Sequence, residues 1–160
     1  MNRKRSFAMI IFSGTLWMSV GVLLLSLGLS LLNNIIALPA GNYPLASLLS
    51  SYAISTEVCA ILLIALGLLI GYFKATRVLH KIVKRNVDII NSLPTGASFT
   101  KVFGLRYWLL IALMMALGMG IRFFGVPDDI RGLIDVAVGA ALINGSMAYY
   151  RSALAVKFTM

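Results

Sequence analysis

Five carboxylates, fourteen lysine or arginine residues and a single histidine are the groups in this 160-residue chain best able to carry protons, hold cations or recognise anions. Six of them gather at matching ends of apolar stretches: Glu57, Arg122, Asp128, Asp129, Arg131 and Asp135. Ionisable groups inside a hydrocarbon layer are costly unless paired or hydrated, and there they mark ion or proton paths. Arg131 and Asp135 stand four residues apart, so on a helix they are neighbours and can pair. Glu57, Arg122, Arg131 and Asp135 therefore form the candidate polar cluster, with two readings. Either the acids carry a proton, a cation or a ligand, or Arg122 and Arg131 pin them and the set locks helix ends together.

A second constellation is basic. Lys74, Arg77, Lys81, Lys84 and Arg85 recur at helical spacing beside an apolar stretch, and Val78, Leu79, Ile82, Val83, Ile89 and Ile90 occupy the opposite side. Such a segment attracts anionic lipid at about 1 kcal/mol per basic residue near the surface. It equally serves as a topology signal with a solvated face. His80 falls among these charges and is expected to be solvated rather than catalytic.

Several chemistries are excluded by what is missing. One cysteine, Cys59, and one histidine, His80, rule out an intramolecular disulfide and a Cys/His metal site. The chain has no phosphate-binding loop, dinucleotide fingerprint, nucleophile elbow or zinc-protease motif. No cofactor is expected and no enzymatic activity. The net charge of +9 does not point to nucleic acid, because the basic residues border apolar spans where topology explains them.

Those spans must position everything else. The chain is 60% apolar and only 12% charged, with a mean hydropathy of +0.94. Four stretches approach the roughly 20 residues that cross a hydrocarbon core about 30 Å thick. They run at about 7–32, 53–73, 106–124 and 128–150, and together with their connections they leave one transmembrane domain over 1–160. The first is too long for the apolar core of a signal peptide and is read as uncleaved. Asn33-Asn34 is expected to close it. The uncharged connection 33–52, broken by Pro39, Gly41 and Pro44, is read as an interfacial helix or a re-entrant stretch. The basic amphipathic helix occupies about 74–91, either extending span two or lying along the headgroups. Arg106 to Ile121 forms the body of span three, with Arg122 at its far end. Gly125-Val126-Pro127-Asp128-Asp129 is a turn leading into a helix start.

Lysine and arginine are distributed unevenly. Three lie before span one, seven between spans two and three, and two after span four, leaving only Arg122 and Arg131 opposite. The positive-inside rule places the larger group, and both termini, in the cytoplasm. Four of the five acids fall toward the other side, Asp88 being the exception. Small residues recur every four positions: Ser26 and Ser30; Gly67 and Gly71; Ala112, Ala116 and Gly120; Ala137, Ala141 and Gly145. Such stripes let helices approach closely in lipid, and the short turn between spans three and four predicts a tight hairpin there. Asn144 and Ser146 are candidates for hydrogen bonds across helices.

The expected fold is all-α: a polytopic four-helix transmembrane bundle in a bacterial inner membrane, with a short amphipathic cytoplasmic helix after span two. The expected role is that of a non-enzymatic accessory, assembly or regulatory subunit of a membrane complex, in contact with the bilayer and its anionic headgroups. The alternative is a small oligomeric transporter or channel using Glu57 and Asp135.

Overall fold

The computed structural model describes residues 3–37, 43–51, 55–92, 120 and 123–158. Span three from 106 to 119, with Arg122, lies outside them. Among the described residues every regular element is helical and there is no strand. Helix α1 is Arg3–Ala37, α2 is Pro44–Ser50 and α3 is Thr56–Lys74. A π-helical turn, Ala75–Leu79, joins α3 directly to α4, His80–Ser92, and α5 is Asp128–Phe158. Three of these stretches are long and apolar enough to cross a membrane: Phe7–Ala37, Thr56–Arg85 and Asp128–Ala155.

Helix α5 is the hub. Its apolar window is 56% buried, against 33% for each of the other two, and it lies against both α1 and α3. The packing against α1 rests on glycines in equal steps of seven. A Cβ on Gly28 would sit 2.8 Å from the Gly132 carbonyl oxygen, and one on Gly21 would sit 3.0 Å from that of Gly139. One on Gly14 would lie 3.5 Å from the Ser146 carbonyl oxygen. Gly14, Gly21 and Gly28 thus meet Ser146, Gly139 and Gly132 in antiparallel register. A repeat of seven corresponds to 3.5 residues per turn and keeps one seam facing its partner.

Packing between α3 and α5 uses the other spacing. Gly67 meets Val136 and the Leu133 carbonyl, and Gly71 meets the Ala137 carbonyl, Ala140 and Ala141. Contacts advance together along both helices, so α3 and α5 run parallel and α1 runs opposite. The expected stripes Gly67/Gly71 and Ala137/Ala141 therefore face one another. Ser26 and Ser30 do not join them; both are exposed, on the side of α1 away from α5.

Two apolar clusters close the ends. At one, Met9, Ile10 and Trp17 of α1 pack with Val83 and Val87 of α4 and Leu142, Tyr149 and Ala153 of α5. The Trp17 and Tyr149 rings meet edge to face with centroids 5.7 Å apart. At the other end, Leu32 and Ile35 pack with Ala46 of α2, Leu63 of α3 and Val136 of α5. The burial of Ile35 carries α1 through Asn33-Asn34 to Ala37, a turn beyond the expected stop, because tertiary packing outweighs the weak helix preference of asparagine. The start of α1, α4 and the finish of α5 share one end of the bundle. Helix α2 and the starts of α3 and α5 share the other.

Close backbone approach leaves no room for a methyl group. Gly28→Ala and Gly139→Ala are each expected to lower unfolding stability in detergent by about 1–3 kcal/mol. Leu69→Ala, at an exposed position, is expected to change it by less than about 0.5 kcal/mol. Equal midpoints for all three in a denaturant titration would contradict the glycine register.

Candidate functional site

The first turns of α5 hold most of the charge at the α2 end. Gly125 turns the chain at φ +63°, a left-handed conformation that suits glycine, and Pro127 precedes the first helical residue. The Arg131 amide donates to the Pro127 carbonyl at 3.1 Å, which closes the opening turn of α5.

Asp129 is the best-anchored group in this region. Its side chain is fully buried. Oδ2 accepts hydrogen bonds from the backbone amides of Leu45 at 2.6 Å and Ala46 at 3.3 Å, and Oδ1 accepts from the Ile130 amide at 2.8 Å. Pro44, the first residue of α2, has no N–H, so Leu45 and Ala46 supply the first free donors of that helix. Unpaired amides at a helix start favour an anion, through both hydrogen bonds and the helix dipole. One carboxylate thus holds the connection 43–51 against the start of α5. Sequence spacing marked Asp129 as a helix-start residue but carried no sign of a partner more than eighty positions earlier.

The candidate cluster divides. Arg131 Nε and Asp135 Oδ2 lie 3.9 Å apart, as their i,i+4 spacing predicts, and both side chains are partly buried. Glu57 is exposed in the first turn of α3. Gly67, level with Val136 and hence with Asp135, is ten residues further along α3, about 15 Å at 1.5 Å per residue. Glu57 therefore stands well outside the depth of Asp135, and the two acids are not brought together. Arg122 lies outside the described residues.

Hydroxyl and amide groups mostly bond locally. Asn144 donates to the Ala140 carbonyl of its own helix at 2.9 Å. Ser146 donates to the Ile143 carbonyl at 2.7 Å and also reaches Met18 Sδ on α1 at 3.4 Å. Thr15 Oγ1 and the Tyr150 hydroxyl are 3.3 Å apart across the same interface. Among the described residues no three His, Cys, Asp or Glu side chains converge as metal ligands. The basic candidates Lys74, Arg77, Lys81, Lys84 and Arg85 are all exposed, on the rod formed by α3, the π turn and α4. Chemically, then, the acidic end caps and pairs, while the basic end is open to anions.

Compared with protein-family models, curated proteins and solved structures, the chain matches none.

Removing the Asp129 carboxylate leaves the Leu45, Ala46 and Ile130 amides without their acceptor. Asp129→Ala is expected to cost about 1–3 kcal/mol and to raise the labelling rate of a cysteine placed at Ala46. Glu57→Gln is expected to leave both stability and labelling unchanged. Unaltered labelling in Asp129→Ala would show that the cap does not hold α2.

Proposed function

We propose that the chain is a four-span bundle of the bacterial cytoplasmic membrane, with both termini and α4 in the cytoplasm, acting as an accessory, assembly or regulatory subunit of a membrane complex. The span that completes the four in this reading is span three, Arg106 to Ile121. It is supported by the path of the chain, which leaves α4 at one end of the bundle and enters α5 at the other. The uneven distribution of lysine and arginine supports the orientation.

The observation that carries the subunit role is the outer face of α1. Phe12, Thr15, Ser19, Val22, Ser26, Leu29 and Asn33 repeat in alternating steps of three and four, and all are exposed. The spacing is that of a helix–helix seam. Four of the seven carry a hydroxyl or an amide, and Thr15, Ser19 and Ser26 fold those hydroxyls back onto carbonyls of their own helix, Thr15 standing at the edge of the face where it also meets Tyr150 of α5. A face that interleaves hydroxyl and amide groups with apolar side chains is a poorer match for lipid tails than for another helix. Transport through paired acids gains no comparable support, because Glu57 and Asp135 differ in depth and Asp135 is engaged by Arg131.

Two measurements test the proposal. Purified in mild detergent, the chain is expected to bring down another membrane polypeptide, and Ser19→Leu with Ser26→Leu is expected to release it while the chain stays folded. Recovery of a lone homo-oligomer, whose proton or cation flux in vesicles depends on Glu57 and Asp135, would replace this reading with transport. A reporter fused after Met160 is expected to report from the cytoplasm, and a periplasmic signal would overturn the orientation.

A further inference from the structure

The π turn interrupts the α3–α4 rod where its outer surface changes from apolar to basic. Leu62, Leu66, Leu69 and Phe73 are exposed on the apolar side of it, and Arg77, Lys81 and Arg85 are exposed on the basic side. From Phe73 onward these residues recur every four positions. On an unbroken α-helix, three steps of four drift about 120° around the axis at 3.6 residues per turn. A π turn holds about one extra residue and sets the phase back by about 100°. Phe73, Arg77, Lys81 and Arg85 are thereby brought close to one line. The same correction returns Val83 and Val87 to the side of Gly71 and Ala75, where all four are buried. The Arg77 guanidinium carbon lies 6.0 Å from the centre of the Phe73 ring, in keeping with that alignment.

We propose that this outward line is a binding surface for anionic phospholipid. The headgroup phosphate lies against Arg77 and Lys81, and an acyl chain lies along Phe73, Leu69, Leu66 and Leu62. The match is in the sequence of surfaces along one face: an apolar strip, an aromatic ring, then two cations a turn apart. A molecule complementary to all of it has an anionic head attached to hydrocarbon. An acidic peptide or a free phosphate would use only the basic half. Asp88, exposed three residues past Arg85, places a negative charge at the top of the line and leaves Arg77 and Lys81 as the preferred contacts. Lys74 and Lys84 fall off the line. The inference rests on the membrane placement proposed above, not on the subunit role.

The test uses the full chain in mild detergent, titrated with phosphatidylglycerol or phosphatidylcholine and read by native mass spectrometry. Phosphatidylglycerol is expected to bind preferentially. Arg77→Gln with Lys81→Gln is expected to weaken its binding by about thirty-fold, from about 1 kcal/mol for each basic residue. Lys74→Gln with Lys84→Gln, which removes the same charge elsewhere, is expected to weaken it much less. Deleting Thr76, which keeps every charge but removes the extra residue, is expected to reduce binding as the first pair does, provided its unfolding midpoint matches the parent; the substitution pairs decide the matter if that variant does not fold. Equal binding of the two lipids, equal loss from both substitution pairs, or full displacement by millimolar inorganic phosphate would overturn the proposal. The last result would mark a site for anions alone. None of these outcomes depends on membrane orientation, which the reporter fusion reads separately.

Discussion

Close approach of two backbones, α1 against α5, is the constraint to which the rest of the bundle conforms. Hydrocarbon tails are as apolar as leucine side chains, so burying leucine against leucine gives little reason for helices to associate in a bilayer. What associates them is dispersion between surfaces in intimate contact, and that falls away steeply once a gap opens. Gly28 against Gly132 and Gly21 against Gly139 bring main chain to main chain without an intervening Cβ. Larger side chains then fill the flanks, with Leu32 over Gly132, Ile143 beside Gly21 and Tyr149 beside Gly14. Helix α5 can be the least apolar of the three long helices because it is the most buried, and its alanines and glycines face protein on two sides.

The polar groups follow from the same geometry. A bundle held by small residues has little room for large ionised networks in its middle, and the acids of α5 fall within its first two turns. Asp129 is buried there without a cationic partner among the described residues, yet three backbone amides satisfy it. Amides at a helix start suit this task, since they come as a fixed set and need no second long side chain to be ordered. The result ties a seven-residue helix, too short to be stable alone, to a helix of 31 residues.

Much of this was legible in the sequence wherever the signal was local. Apolar length gave the three long helices; Pro127 and Asp128 gave the start of α5; four-residue spacing gave the Arg131–Asp135 pair and the Gly67/Gly71 and Ala137/Ala141 stripes, though not that these two stripes face each other. What escaped was mostly non-local. A search for small residues every four positions passes over Gly14, Gly21 and Gly28, whose step is seven, and it selects Ser26 and Ser30 on the opposite face of the same helix. The three glycines and their two equal steps were visible in the chain, and their match to Gly132, Gly139 and Ser146 could have been found by aligning the two segments in opposite directions. The Asp129 cap had no such signal, because spacing along a chain does not say which distant amides lack partners. The same holds for depth: Glu57 and Asp135 each lie near a helix start, but only the register of Gly67 against Val136 separates them.

The π turn shows how one register decision reaches from packing to surface chemistry. Contacts every four residues, from Cys59 and Leu63 through Gly67 and Gly71, drift steadily around a regular α-helix. Continued past Lys74, that drift would carry valines out into solvent and cations in toward Tyr149. One wider turn resets the phase, so Val83 and Val87 stay against α1 and α5 and the arginines and lysines stay outside. Because α3, the turn and α4 form one continuous helix gripped at Met9, Ile10 and Ala153, the basic residues are carried along the bundle axis instead of lying across its end. Their charges are therefore stacked in height, from Arg77 beside the aromatic ring of Phe73 to Arg85 at the level of the buried valines Val83 and Val87. A helix lying flat would have spread the same charges over one level. Stacked, they differ in what they border: Arg77 adjoins the exposed apolar residues of α3, and Lys81 and Arg85 stand progressively further from them.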